Sequence, residues 1–306
     1  MGAPAAMTGI WPVLYAFFGP DGRLDRDAMR RQAGAALSHG APGVAVLGLA
    51  TEVDKLSPAE RLDVIRWAVD DLAGRAPLAV TIAGASVDAQ RELAARAVEL
   101  GASRLILQPP PLVATGAQPE DFYVDFFAAV MDGQPVPVGL QNAPEYLGVG
   151  LSPPALLALA ARRDAFAFVK GEASSTAIER TIAALGERLP VLNGRGGLEL
   201  VENLQAGCAG MIVAPDTADH QHAVWTLWAA GEREAALERY AAVLPAIVFV
   251  MQSLATLVCY GKRIAAWRMG IDVVHDRAPA LAPTGFGLAR AREHARRLGA
   301  LPLARR

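Results

Sequence analysis

The sequence predicts an α/β protein, a (β/α)8 barrel of the TIM type followed by a C-terminal helical extension. Three observations carry that expectation. Short apolar runs alternate eight times with amphipathic stretches, at a period of roughly 30 residues, the length of one strand–helix crossover unit. The 306 residues suit one barrel of about 250 residues with an addition. No G-x-G-x-x-G follows the first run, which leaves a doubly wound open sheet as the weaker arrangement. The division expected is residues 1–230 for the barrel and 231–306 for an extension packed on it.

The eight runs lie at residues 10–16, 43–48, 77–82, 104–108, 136–141, 166–170, 190–193 and 210–213. Each is short and rich in Val, Ile, Leu or Phe, as a strand buried on both faces must be. Helix starts stand between them. Ser57, Pro58 and Glu60 form a capping box with proline at the first helical position. Gln118-Pro119-Glu120-Asp121 and Ser152-Pro153-Pro154 open the fourth and fifth helices in the same way. Gly40, Gly74, Gly101 and Gly186 fall where a chain leaves a helix in a left-handed turn. Beyond Val213 three or four helices are expected up to Leu298 with no strand pattern, and the tail 301–306 is expected to fray.

Residues 240–260 carry no charge and are long enough to cross a bilayer. Pro245, Gln252, Ser253 and Thr256 interrupt the apolar run, and charged pairs flank it on both sides. A buried or subunit-interface helix is the favoured reading, and no membrane association is expected. The composition is 53% hydrophobic and 20% charged, with a mean hydropathy of +0.26, which suits a large core. A net charge of −2 leaves no basic excess for nucleic acid. Cys208 and Cys259 show no metal or redox spacing, and residues 1–11 lack a leader pattern, so a reducing cytoplasm is the default.

A barrel of this kind keeps its active site at the C-terminal ends of its strands. The rim residues are then Leu49, Ala50, Thr51 and Glu52 after the second strand, and Gln108 with three prolines after the fourth. Gln141-Asn142-Ala143-Pro144 follow the fifth, Lys170 and Glu172 the sixth, and Asn193-Gly194-Arg195-Gly196-Gly197 the seventh. Only three lysines occur, Lys55, Lys170 and Lys262, against 26 arginines. Lys170 ends an apolar strand, FAFVKGEAS, where partial burial disfavours the ammonium form and prepares an amine to attack a carbonyl. The bland alternative is a strand-end lysine that reaches solvent or pairs with Glu172.

With those residues placed, the chain resembles the dihydrodipicolinate synthase / N-acetylneuraminate lyase family of class I aldolases. GIWPVLYAFFGPDGRLD at 9–25 looks like its opening strand and turn, and GLATEVDKLSPAER like its GTTGE…LS..ER block. FVKGEAS resembles its Schiff-base strand, and AGCAGMIVAPD at 206–216 its last barrel strand. The resemblance implies an imine between Lys170 and the C2 carbonyl of pyruvate or another 2-oxo acid, followed by cleavage, condensation or dehydration. It also implies a homodimer or homotetramer. The departures are specific. Gln141 stands where the family's YNxP block has its relay tyrosine, Leu49-Ala50 replace the threonine pair that binds the substrate carboxylate, and Pro111 replaces a further tyrosine. Gln141 and the K-x-E motif look more like the 2-keto-3-deoxy-L-arabonate dehydratase branch, although Asn142 replaces that branch's aspartate.

The candidate catalytic residues are therefore Lys170, Glu172 and Gln141. Period two places Glu172 on the face of Lys170 if the strand continues that far, as base or to orient a water; Gln141 supplies hydrogen bonds. The candidate substrate-binding residues are Leu49 and Ala50 through backbone N–H groups, Thr51 through its hydroxyl, Arg195 through a planar guanidinium, and Ile212 on the last strand. Glu52 is read as holding its loop through backbone amides. His220 and His222 do not share a helical face and no metal or other cofactor is expected. The leading function is a dehydratase of a 2-keto-3-deoxy sugar acid. Its rivals are a retro-aldolase releasing pyruvate and a catalytically silent barrel that binds a 2-oxo acid or a protein.

Overall fold

Alternation of short buried strands with amphipathic helices leaves one economical solution, a sheet rolled on itself inside a ring of helices. The computed structural model describes residues 6–301. The first five residues, and the part of the tail expected to fray beyond residue 301, lie outside the described residues. The eight strands are β1 (Gly9–Pro12), β2 (Val44–Val46), β3 (Leu78–Ile82), β4 (Arg104–Leu107), β5 (Val138–Asn142), β6 (Phe166–Gly171), β7 (Val191–Asn193) and β8 (Gly210–Val213). They pair in parallel in the order β1-β8-β7-β6-β5-β4-β3-β2. A bridge between Val13 and Ala45 joins the remaining edges and nearly closes the barrel, with the Leu14 N–H donating to the Ala45 carbonyl at 2.9 Å.

The outer ring is α1 (Arg26–Ser38), α2 (Pro58–Leu72), α3 (Val87–Leu100), α4 (Glu120–Met131), α5 (Pro153–Arg162), α6 (Ser175–Leu185), α7 (Leu200–Gln205) and α8 (Ala218–Ala229). The Ser57 hydroxyl and Glu60 carboxylate make the expected reciprocal cap on α2. Strand residues alternate between two cores. Val44, Val46, Val80, Leu105 and Leu107 face the helices, while Trp11, Ala45, Ala79, Ile106, Phe168, Leu192 and Ile212 fill the barrel. Large and small residues interlock there. A Cβ on Gly43 would fall 2.1 Å from the Trp11 ring, and one on Gly139 would fall 2.1 Å from the Phe168 ring, so both glycines are the room those rings occupy.

Three helices form the extension: α9 (Arg233–Val250), α10 (Leu254–Arg268) and α11 (Gly285–Leu298). The uncharged segment 240–260 is not one rod. It breaks after Val250 and turns by 105° into α10, and no single helix among the described residues is long and apolar enough to cross a membrane. The elbow lowers Met251, Leu254 and Leu257 over the barrel mouth. Ion pairs tie the extension down: Arg268 to Asp219, Arg277 to Glu60, and Lys262 to Glu52.

Candidate active site

The site begins with strand parity. Phe168, Lys170 and Glu172 fall on the inward face of β6, because the chain keeps its extended pairing one residue beyond the strand: the Glu172 N–H donates to the Asn142 carbonyl at 3.0 Å. Lys170 and Glu172 are each only 3% exposed, and the Lys170 Nζ lies 2.8 Å from Glu172 Oε1. The Gln141 side-chain N–H donates to the same oxygen at 2.9 Å. Gln141 is oriented in turn by Gln108, whose amide N–H donates to the Gln141 oxygen at 2.9 Å. Behind it, Gln90 on α3 donates to the main-chain oxygens of Gln108 and Gly84. Glu172 Oε1 thus accepts from two donors. Its other oxygen, Oε2, is buried with no hydrogen-bond partner among the described residues.

These groups border a cavity of about 40 Å³, room for about two or three waters. Lys170, Glu172 and Tyr146 supply its polar side chains, Gly194 and Gly196 one wall, Leu49 and Ala50 another, and Val13, Ile212, Val213 and Ala214 part of its apolar lining. Met251, Leu254 and Leu257 of the elbow add to it. Gly194 is a steric requirement. A Cβ there would sit 2.7 Å from Glu172 Oε1 and 2.8 Å from Lys170 Cε.

Five of the residues expected from the sequence border this cavity: Lys170, Glu172, Leu49, Ala50 and Ile212. Gln141 stands one layer back and reaches it through Glu172. Thr51 does not border it. Its hydroxyl donates to the Leu14 carbonyl at 2.7 Å and pins the β2 loop to the end of β1. Arg195 also stands outside the lining, at 3.2 Å from Glu199 and 3.7 Å from Glu145. Glu52 does hold its loop, but through lysines rather than backbone amides. It takes a left-handed backbone, φ 55°, and its carboxylate meets Lys55 at 2.5 Å on one side and the fully buried Lys262 on the other. Burial lowers the pKa of Lys262, and the Glu52 charge opposes that shift.

Tyr146 is the residue that sequence reasoning missed. It lies on the single helical turn Pro144–Leu147 that follows β5, five positions past the place where the resemblance leads one to look for a tyrosine. The residue is 36% exposed, and Arg195 is close enough to act on its hydroxyl. Burial raises its pKa, the Glu172 charge adds to the rise, and Arg195 opposes it. The group is a phenol, not a phenolate, at neutral pH. Another phenol, the fully buried Tyr15, donates to Asp216 Oδ1 at 2.8 Å and lies outside the cavity lining. Among the described residues no group of three His, Cys, Asp or Glu side chains is placed to hold a metal ion.

A parallel barrel that gathers a lysine and a carboxylate around a small cavity at the C-terminal ends of its strands has a candidate site at the rim where barrels of this class keep their chemistry. The model of the dihydrodipicolinate synthetase family matches residues 6–284. Among curated relatives, the L-2-keto-3-deoxyarabonate dehydratase of Azospirillum brasilense is 29% identical over 242 residues, 78% of each chain. The 4-hydroxy-tetrahydrodipicolinate synthase of Xanthomonas campestris pv. campestris is 30% identical over 210 residues, 68% of this chain and 67% of that protein. Among solved structures, YagE of Escherichia coli K12, a prophage protein of the dihydrodipicolinic acid synthase family in complex with pyruvate, superposes with a TM-score of 0.85. It is 22% identical, over 96% of this chain and 99% of its own. The chain belongs to the dihydrodipicolinate synthetase family, and it is a lyase of that family.

Proposed function

We propose that Lys170 forms an imine with the C2 carbonyl of a 2-oxo acid and that the protein dehydrates a 2-keto-3-deoxy sugar acid. The observation that carries this reading is the half-satisfied Glu172 carboxylate. Lys170 and Gln141 fix one oxygen, and the other, buried and unpartnered, is a base without a proton to take. Once the imine forms, its positive nitrogen acidifies C3, and the Glu172 oxygen removes that proton within a step of the nucleophile. The amine must lose a proton to attack, and the Glu172 carboxylate, 2.8 Å away, stands in position to receive it. The substrate carboxylate lies against the first N–H groups of the turn Leu49–Thr51, which helix geometry leaves without intrahelical partners. Absence of a phenol at position 141, and the arabonate dehydratase relative, favour water loss over aldol chemistry.

Retro-aldol release of pyruvate remains the second reading, favoured by the apolar lining at Leu49, Leu254 and Leu257. Exposed apolar side chains on α9, Leu237 and Val248, support self-association as a homodimer or homotetramer. Borohydride trapping with pyruvate, read by intact mass, tests the imine: the adduct forms on the wild type and is absent from Lys170→Ala. No adduct on the wild type refutes the imine. A panel of 2-keto-3-deoxy acids coupled to lactate dehydrogenase then separates the chemistries, since pyruvate marks cleavage and a 2-oxo semialdehyde without pyruvate marks dehydration. Glu172→Gln retains the adduct and loses at least about 100-fold in turnover, the usual reach of a general base.

A further inference from the structure

Elimination takes one proton off C3 and puts one on the leaving oxygen, and the reading above assigns a residue only to the first. Glu172 takes the C3 proton, but hydroxide is a poor leaving group and must be protonated as the C4–O bond breaks. The cavity holds one further acidic side chain. Tyr146 borders it together with Lys170 and Glu172, on a helical turn fixed by the Tyr146 N–H to the Ala143 carbonyl at 3.1 Å. The Arg195 charge acts on its hydroxyl and opposes the rise in its pKa, and the Arg195 guanidinium is itself held by Glu199 at 3.2 Å and Glu145 at 3.7 Å. A cation in that place stabilises the phenolate left after proton transfer.

We infer that Tyr146 is the general acid for the departing hydroxyl, with Arg195 as the residue that positions it and holds its charge. The inference rests on the Lys170–Glu172 reading and deepens it. In the first step the C3–H pair moves into a C2–C3 double bond, the imine nitrogen receives the displaced pair, and Glu172 takes the proton. In the second step the nitrogen pair returns, a C3–C4 double bond forms, and the C4–O bond breaks with its pair on oxygen. That oxygen takes the Tyr146 proton and leaves as water. The proton on Glu172 then restores the phenol, so one water is lost and no oxidant or reductant enters. This role gives Arg195 work at the rim, one residue removed from the carboxylate contact that the sequence suggested.

The test compares Tyr146→Phe with the wild type on a matched pair, 4-hydroxy-2-oxobutanoate and 4-chloro-2-oxobutanoate. Chloride leaves without a proton, so it needs no acid. The expected result is a fall of about 100-fold or more in single-turnover elimination from the hydroxy acid, with chloride release within about twofold of the wild type. Borohydride trapping of pyruvate at Lys170 is unchanged. Equal loss on both leaving groups, or no loss on either, overturns the assignment. Loss of the pyruvate adduct in Tyr146→Phe also overturns it, by placing the phenol in imine formation. A wild type that forms no adduct sinks the imine itself, and with it the assignment, by a result that does not involve the Tyr146 variant.

Discussion

Gly194→Ala puts one methyl group against the proposed catalytic pair and nothing else. Gly194 does not occupy the left-handed region, so alanine is free to adopt its backbone. The new carbon would lie 2.7 Å from Glu172 Oε1, 2.8 Å from Glu172 Cγ and 2.8 Å from Lys170 Cε. Ordinary contacts between such atoms are about 3.5–4.0 Å, so the pair must retreat by about 1 Å. Packing closes other directions, because both side chains are buried and Gln141 holds the carboxylate. They retreat into the cavity that substrate requires. Misplacement of that size costs about 100-fold in rate, equivalent to about 2.7 kcal/mol of barrier. The strain on the fold is about 1–3 kcal/mol, a tolerable loss. The assay is the rate of borohydride-trapped pyruvate adduct formation, with circular dichroism to verify folding. A trapping rate within twofold of wild type in a folded variant refutes the geometry on which the catalytic reading stands.

Two further predictions concern what surrounds the site. Glu52→Ala leaves the buried Lys262 without its counter-charge, and removal of one partner from such a pair costs about 3–5 kcal/mol; urea unfolding measures it, Lys262→Met in the same chain restores most of it, and a loss below about 1 kcal/mol refutes the lock. The His39 ring lies tilted against that of His222 at a centroid distance of 5.8 Å, and burial lowers its pKa to about 4. A lowered histidine pKa favours the folded state above the unfolded value near 6.5, and that stability is lost as pH falls through about 4, up to about 3 kcal/mol. His39→Phe flattens the stability curve over that window, and parallel curves for the two proteins refute the claim.

Period and parity made the barrel legible. β8 falls at 210–213 as expected because glycine and proline bracket a run with no competing pattern. The first run was read too long: pairing within β1 ends at Pro12, and Val13–Ala16 continue as buried chain without a full ladder. The inward placement of Lys170 and Glu172 followed from spacing alone, and their contact was within reach of it. What spacing cannot give is where a loop side chain turns. Thr51 and Arg195 do not border the cavity, one turned to Leu14 and the other held by Glu199 and Glu145. Tyr146 was overlooked because it lies one helical turn beyond the strand end, outside the block compared. The elbow at residues 251–253 was equally hidden, since an uncharged run reads the same whether straight or bent by 105°.

The three lysines show why burial alone does not identify a nucleophile. Lys262 is fully buried and its pKa is lowered, the property usually sought in an amine that attacks carbonyls. Yet it borders no part of the cavity, and both oxygens of its partner Glu52 are taken by lysines. Lys55 is the second of those lysines. Lys170 alone faces the cavity, and its partner Glu172 alone keeps an oxygen unpartnered. In a chain that uses arginine for nearly every other cation, the proposed imine accounts for lysine at 170, because a guanidinium stays protonated and has no lone pair to give. The carboxylates set the distinction. Glu52 is a closed clamp that holds the β2 loop to α10, and Glu172 is an open one, with a free oxygen to take the C3 proton that the proposed imine chemistry releases.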